Sequence, residues 1–217
     1  GHLESLLRAA RGRRRPWIVT DAVFSVDGDL APLEDIADLA GRYRAGPFVD
    51  EAHAIGVFGP QGRGRVAALG LSARFDVVVG TLSKALGGVG GWVSGSRDLV
   101  SLLGSTSRAL MFTTAPPAAA AKAALAALGI CRGPEGDARR ARLWANAGIL
   151  QDGLGLPGRS PITAIPFRGV GTAGRVSKML EAKGFYVAPL RPPTVPAGTS
   201  RDRISPSASH SPRHVGG

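Results

Sequence analysis

The chain has little cysteine, little lysine and no long apolar run. Its 217 residues include one cysteine, Cys131, which excludes an intrachain disulfide and cannot form a zinc site alone. No apolar stretch approaches the roughly 20 residues of a membrane-spanning helix, and no secretory signal segment opens the sequence. We therefore expect a cytoplasmic protein with no membrane partner and no metal.

Acidic residues are also few, so the formal net charge is +11, from 27 basic and 16 acidic residues. The positive charge is scattered and almost entirely arginine, because the only lysines are Lys84, Lys122, Lys178 and Lys183. No aromatic residues interleave with the basic run at residues 11–15 to stack on bases. We expect no nucleic-acid partner, although arginines favour phosphate-bearing small ligands.

Two polar clusters follow predicted buried strands. Residues 50–53, with the sequence Asp-Glu-Ala-His, come directly after Phe48 and Val49, and residues 81–84, Thr-Leu-Ser-Lys, come shortly after the apolar run at 76–79. Open α/β sheets place their ligands at the carboxyl ends of such strands. A lysine that forms a Schiff base and an acid that partners a pyridine nitrogen are what pyridoxal phosphate requires.

The order of predicted elements favours an α/β fold with a mostly parallel sheet. We predict strands at 17–20, 48–49, 76–79 and 91–95 and helices at 3–10, 33–40, 97–103, 116–128 and 139–150, with a break at 129–137. Strands at 163–167, 185–188 and 203–204 and a helix at 174–183 then predict a smaller α+β domain. The expected organisation is part of a large cofactor-binding domain at 1–135, the smaller domain at 136–210 and a disordered tail at 211–217.

Several motifs carry a resemblance to a known family. They are the two clusters above, together with residues 23–29 (VFSVDGD), 56–64 (GVFGPQGRG), 112–114 (FTT) and 191–196 (RPPTVP). In this order and spacing they resemble the α-oxoamine synthase family of fold-type I pyridoxal-phosphate enzymes, from about Leu3 to about Ser209. The resemblance implies the fold-type I large domain with its mostly parallel sheet, followed by a smaller C-terminal α+β domain.

The resemblance also implies a role for each site residue. Lys84 would form the Schiff base and later take the substrate's α-proton, Asp50 would partner the pyridine nitrogen, and His53 would lie near the phenolic oxygen. The other implied contacts are Ser25 with the cofactor, Thr81 with its phosphate, Thr113 and Thr114 with the phosphate of a neighbouring subunit in a homodimer, and Thr194 and Arg203 with the amino-acid substrate.

Plainer interpretations of these residues stay open. Asp50 could be a solvated loop acid, His53 a structural histidine, and Thr81 a helix cap or turn hydroxyl. Ser25 could be a turn serine, Thr194 a loop residue between prolines, and Arg203 a surface arginine. Glu51 is expected to be structural.

The implied reaction condenses an amino acid, alanine in the most similar branch, with a pimeloyl thioester of coenzyme A or acyl carrier protein, with decarboxylation. Sister enzymes that use glycine or serine share the motifs. The family has an N-terminal region with a glycine-rich segment and a ring-stacking histidine that the sequence lacks, and Asp202 and Pro206 fall where the family has apolar residues. The sequence therefore predicts a truncated chain of impaired activity, with a non-catalytic structural partner of a complete homologue as the alternative.

Overall fold

The computed structural model describes residues 1–12, 14–169 and 171–216. One residue of the basic run at 11–15 and one residue of the predicted tail therefore lie outside the described part. The chain divides into two compact units. The first contains Gly1–Val23 and Ala31–Ala138, and the second contains Phe24–Leu30 and Arg139–Gly217.

The first unit is built on a four-stranded sheet. Its strands are β1 (Trp17–Asp21), β2 (Gly46–Asp50), β3 (Val77–Thr81) and β4 (Gly91–Gly95), in that order across the sheet. The strands β1, β2 and β3 are parallel, and β4 pairs with β3 in the antiparallel sense. The predicted mostly parallel sheet is confirmed, and it brings the carboxyl ends of three strands to one edge.

Helices of the first unit connect and cover these strands. They are α1 (His2–Ala9), α2 (Leu33–Tyr43), α3 (Arg65–Ala68), α4 (Arg97–Thr106), α5 (Arg108–Met111) and α6 (Ala118–Arg132), with a 3₁₀ turn at Pro60–Gly62. The helix α2 buries Leu33, Ile36, Ala37 and Ala40, which recur at helical spacing, and so forms an apolar stripe. The core also includes fully buried Val49 in β2 and Ala22 directly after β1.

The part of the first unit after β3 is much more exposed. No residue of α4 or α5 is buried, and Cys131 is the buried residue of α6. Large apolar side chains therefore face outward, among them Val89, Val93, Phe112 and Leu125. A helix as apolar as α6 is normally covered, so this face is suited to contact with further polypeptide.

The second unit carries a three-stranded antiparallel sheet. Its strands are β5 (Thr163–Pro166), β6 (Ala188–Leu190) and β7 (Arg201–Ile204), and β7 lies in the middle. The helices are α7 (Pro134–Leu154), which begins in the first unit, and α8 (Thr172–Glu181) and α9 (Pro212–Val215). Among the described helices of both units, none is long and apolar enough to cross a membrane.

Three local predictions differ from the structure. The predicted break at 129–137 is narrower in the structure and consists of Gly133 alone, because α6 continues to Arg132 and α7 starts at Pro134, whose fixed φ suits a first helical turn. The strand predicted at 185–188 instead begins at Ala188. The helix α9 lies within the predicted disordered tail, where Ser211 and His214 form a reciprocal cap and Pro212 opens the helix.

The loop Phe24–Leu30 belongs to the second unit, although its position in the sequence predicts that it belongs to the first domain. Asp27 forms an ion pair with Arg201 of β7. Gly28 has φ +71°, and a Cβ there would come 2.6 Å from Ser160 Oγ. Both the left-handed backbone and the close approach therefore require glycine at this position.

Candidate active site

Three strand ends form the candidate active site. Because β1, β2 and β3 are parallel, Asp21, Asp50 and Thr81 end their strands at the same edge of the sheet. Asp21 lies directly opposite Asp50 in the register of β1 and β2. The parallel sheet therefore brings Asp50 and the 81–84 segment to the same edge, which is the convergence that the sequence predicts.

Asp50 is half-buried, and its side chain is held in place by its own turn. Its Oδ1 accepts a hydrogen bond from the backbone N–H of Ala52 at 2.7 Å. Asp21 is the acid that sequence reasoning missed, although it ends β1 just as Asp50 ends β2. Burial raises the pKa of Asp21, the negative charge of Asp50 raises it further, and the Lys84 ammonium opposes the rise.

The same electrostatic effects place Lys84 within range of Asp21, which lies opposite Asp50. Two neighbouring carboxylates at one partly buried edge create a site that favours positive charge. The Lys84 ammonium is the cation that acts there in the described structure. Asp21, Asp50 and Lys84 thus form one charged cluster, which we call the strand-end cluster.

Lys84 itself is exposed on a tight turn. The backbone N–H of Gly87 donates to the Lys84 carbonyl at 3.0 Å, and that of Gly88 donates to the Leu82 carbonyl at 2.7 Å. Gly87 has φ +60°, a left-handed backbone that glycine adopts without strain. The turn therefore holds the backbone of Lys84 while leaving its amine accessible.

Two hydroxyl groups lie beside Lys84. Thr81 Oγ1 and Ser83 Oγ share a hydrogen bond of 2.7 Å, and the Ser83 backbone N–H donates to Thr81 Oγ1 at 3.1 Å. Thr81 also donates to the Gly90 carbonyl at 3.1 Å. Two hydroxyls and an N–H in one exposed turn can bind a phosphate. The hydrogen bonds of Thr81 in this structure are equally consistent with a turn hydroxyl that binds no ligand.

Glu51 anchors the turn that follows Asp50. It is 1% exposed, and its carboxylate accepts hydrogen bonds from the backbone N–H groups of Arg65 at 2.9 Å and Val66 at 2.6 Å, in the first turn of α3. Burial raises the pKa of Glu51, and these two N–H groups oppose the rise. Its side chain thus ties the end of β2 to α3, the structural role that the sequence analysis expects.

His53 lies in the compact turn held by Glu51. The Glu51 carbonyl accepts hydrogen bonds from the N–H groups of Ala54 at 2.8 Å and Ile55 at 2.9 Å, which fold the backbone around His53. The ring is half-buried, three residues beyond Asp50. Thr113 and Thr114 also belong to the first unit, where they are exposed in the loop between α5 and α6.

The remaining predicted residues belong to the second unit. Ser25 is exposed in the loop after β1, and Thr194 is exposed in a turn where its N–H donates to the Arg191 carbonyl at 2.9 Å. Arg203 lies half-buried in β7, which disagrees with a plain surface arginine. Burial lowers its pKa, and its Nε has no hydrogen-bond partner among the described residues.

Asp202, beside Arg203 in the central strand, is a buried acid. It is 0% exposed, and neither carboxylate oxygen has a hydrogen-bond partner in the part of the chain that the structure describes. Burial raises its pKa. Burial without a hydrogen-bond partner thus penalises the ionised carboxylate at this position.

Comparison with known proteins identifies relatives for nearly the whole chain. Residues 1–216 match the family of aminotransferase class I and II. The 8-amino-7-oxononanoate synthase of Anaeromyxobacter dehalogenans strain 2CP-C is 46% identical over 221 aligned residues, which cover 99% of the chain and 55% of the relative. That of Acidithiobacillus ferrooxidans strain ATCC 53993 is 45% identical over 92% of the chain and 52% of the relative. The chain thus spans about half the length of the curated relatives it matches.

Solved structures give the same fold. A serine palmitoyltransferase from S. paucimobilis with a bound PLP–myriocin aldimine has a TM-score of 0.92 and 33% identity, over 98% of the chain and 55% of that protein. The 8-amino-7-oxononanoate synthase of Francisella tularensis has a TM-score of 0.81 and 29% identity, over 98% and 63%.

Proposed function

The chain belongs to the aminotransferase class I and II family, and from that premise we propose that it carries the pyridoxal-phosphate site of an 8-amino-7-oxononanoate synthase. Such an enzyme condenses alanine with a pimeloyl thioester, with decarboxylation, in biotin biosynthesis. The observation that supports this most is the strand-end cluster, with Asp50 and Lys84 at one edge of the sheet.

The residues of this edge fit pyridoxal phosphate. Asp50 and Asp21 together favour a positive charge, as a protonated pyridine nitrogen has, and Lys84 offers an accessible amine. Thr81, Ser83 and the N–H of residue 83 offer donors for the phosphate, and His53 would lie at the ring's oxygen. When bound, the cofactor supplies an electron sink for the carbanion formed at the substrate's α-carbon.

The protein's own groups would supply the proton chemistry. The Lys84 amine, freed by the incoming amino acid, would take the α-proton and later return a proton to the product. The exposed turn suits this role, because the Lys84 amine must leave the cofactor and then reach the α-proton of the substrate. Asp50 would hold the proton at the pyridine nitrogen, and its bond from Ala52 keeps the carboxylate oriented.

We assign the substrate contacts to residues of the second unit. Arg203 would bind the amino-acid carboxylate through its guanidinium, which is consistent with a half-buried side chain whose Nε lacks a partner among the described residues. Ser25 would contact the cofactor, and Thr194 the substrate. The acyl group would arrive as a thioester of coenzyme A or acyl carrier protein.

A homodimer and a cytoplasmic location complete the proposal. In this dimer Thr113 and Thr114 of one subunit would reach the cofactor phosphate of the other, and their exposed loop beside Phe112 is compatible with a subunit contact.

A sister reaction is the second candidate. The serine palmitoyltransferase structure has the higher TM-score, 0.92 against 0.81, which favours condensation of serine with a long-chain thioester. The sequence identity of 46% to an 8-amino-7-oxononanoate synthase favours alanine. We place alanine first because closely related sequences share substrate pockets more often than similar backbones do.

Exchange of the α-proton tests the proposal. With pyridoxal phosphate in D₂O, the chain should remove the Cα–H signal of L-alanine in the proton NMR spectrum at least tenfold faster than that of glycine or L-serine. Loss of a general base costs roughly 10²- to 10⁴-fold, so Lys84→Ala should reduce exchange by at least about a hundredfold, and Asp50→Asn should also reduce it.

Lys122→Ala is the matched control, because Lys122 is an exposed lysine on α6. Conversion of the bound alanine into amino ketone by pimeloyl thioester should be slow, because the sequence predicts a chain of impaired activity. Exchange no faster than with free pyridoxal phosphate, or an equal loss in Lys122→Ala, would refute the assignment. Preference for serine would move the chain to the sister reaction.

A further inference from the structure

A cavity of about 660 Å³ opens on the first unit, away from the candidate active site. Its described lining includes Pro16, just before β1, and Arg44, two residues before β2. These positions lie at the amino-terminal edge of the sheet, whereas Asp21 and Asp50 end the same strands. A five-residue strand separates the two edges by roughly 17 Å, so the cavity is a separate site.

The lining of this cavity is basic. Three arginines contribute to it, Arg11, Arg15 and Arg44, and no described lining residue is acidic. Arg15 is paired with Asp76 at 2.5 Å. Neither Arg11 nor Arg44 has an ion pair in the described part of the chain, and the Arg11 guanidinium lies 5.5 Å from the centre of the Tyr43 ring. Positive charge in a concave surface concentrates anions there.

Helix stabilisation does not account for these two arginines. The cavity lies at the carboxyl ends of α1 and α2, where a cation offsets the helix dipole. Arg8 and Arg42 already occupy the last turns of these helices, and each pairs with Glu4 at 3.2 Å. Arg11 and Arg44 lie beyond the last helical residues and add positive charge that is not needed to offset the helix dipoles.

The cavity is also too large for a single inorganic phosphate, and part of its wall is apolar. Leu7, Ala10, Pro16 and the Tyr43 ring line part of it. Its volume lies within the roughly 300–1,000 Å³ of sites for cofactor-sized molecules. Guanidinium groups bind phosphate oxygens in pairs, and an apolar wall accommodates the organic part of the ligand.

We propose that this cavity binds a small organic polyphosphate, with the size and charge of a nucleoside triphosphate, at the sheet edge opposite the candidate active site. Arg11 and Arg44 contact the phosphates, and the apolar wall takes the base or sugar. The site is independent of the strand-end cluster, so an occupant there acts as a regulator or an anchor and not as a substrate.

Calorimetric titration of the 217-residue chain with ATP tests this site. We expect saturable binding with a stoichiometry of one, weaker binding of AMP and of pyrophosphate, and affinity that falls steeply with salt. The double variant Arg11→Gln/Arg44→Gln should weaken ATP binding at least tenfold. Arg97→Gln, a change of an exposed arginine on α4, should leave it within twofold.

Four results would overturn the proposal. The first two are the absence of saturable ATP binding and an unchanged affinity in the double variant. The third is an equal loss in Arg97→Gln, which would mean a diffuse attraction to the basic surface. The fourth is a 12-nucleotide single strand that binds more tightly than ATP, which would mean a polynucleotide surface. Lys84→Ala should keep ATP binding, so failure of this site and failure of the pyridoxal-phosphate site are distinguishable.

Discussion

Glu51 and Asp202 are buried acids that differ in their hydrogen bonding. In the sequence, each is adjacent to a residue of the proposed active site. Glu51 receives two backbone N–H groups from α3, whereas Asp202 has no partner in the described structure. A buried carboxylate without hydrogen bonds costs more than a satisfied one. We therefore expect Glu51 to stabilise the turn after β2 and Asp202 to destabilise the central strand of the second unit.

Asp202 should make stability depend on pH. Burial raises its folded pKa above the unfolded value, so the folded state holds a proton that the unfolded state loses as pH rises above about 4. The stability that this proton contributes is complete below the unfolded pKa and is lost as pH rises through the folded pKa. Asp202→Asn should therefore match the parent near pH 4 and exceed it by about 1–3 kcal/mol at pH 8.

Urea unfolding of both proteins between pH 4 and pH 8 measures this difference. Asp21 and Glu51 also have raised pKa values and contribute a slope of the same sign, but they are unchanged in the variant. The difference between the two curves therefore isolates Asp202. Parallel curves would show that Asp202 finds a partner or water in solution.

At the residue scale, the sequence was sufficient to predict which acids and amines follow the ends of strands, where an apolar run precedes them. Asp50 and Lys84 could be predicted because a short apolar stretch precedes each of them. Asp21 could have been found by the same signal, since it ends the run that begins at Trp17. Asp202 could be singled out only by resemblance, because its burial depends on strands far away in the sequence.

At the scale of elements, the junction between the end of β2 and the start of α3 is the most tightly constrained. Gly64, the residue before α3, has φ +93°, and a Cβ there would lie 2.5 Å from Glu51 Oε2. The Glu51 carboxylate occupies the space that any other side chain would need. Gly70, after α3, also has a left-handed φ of +68° but has open space around it.

Gly64→Ala should therefore destabilise the first unit more than Gly70→Ala does. The left-handed backbone costs alanine about 1–2 kcal/mol at either position, and the displaced Glu51 carboxylate adds about 1–3 kcal/mol at Gly64 alone. Chemical denaturation of the two variants measures the difference. Equal losses would mean that Glu51 moves aside without cost.

Periodicity predicted the long elements and missed the short ones. The strands of the first sheet and α2 follow from apolar runs and from helical spacing. The four-residue helices α3 and α5 contain too few residues for a period to be visible, and α3 depends on its tertiary contact with Glu51. The loop Phe24–Leu30 joins the second unit through Asp27 and Gly28, which no local pattern indicates.

At the scale of the whole molecule, the fold class could be predicted because the parallel strands alternate with helices. The relatives are about twice as long as the chain, and the exposed apolar face of β4 and α4–α6 lies in the first unit. The proposed function depends less on that face than on one edge of the sheet, and it requires that Lys84 is the amine that binds pyridoxal phosphate.

Borohydride trapping tests that claim most directly. The chain is mixed with pyridoxal phosphate at a one-to-one ratio, reduced with borohydride and digested, and each peptide is examined by mass spectrometry for the reduced cofactor. The account predicts that Lys84 carries nearly all of the label and that Lys84→Ala abolishes it. Label on Lys122, Lys178 or Lys183, or an even distribution over the four lysines, would contradict it.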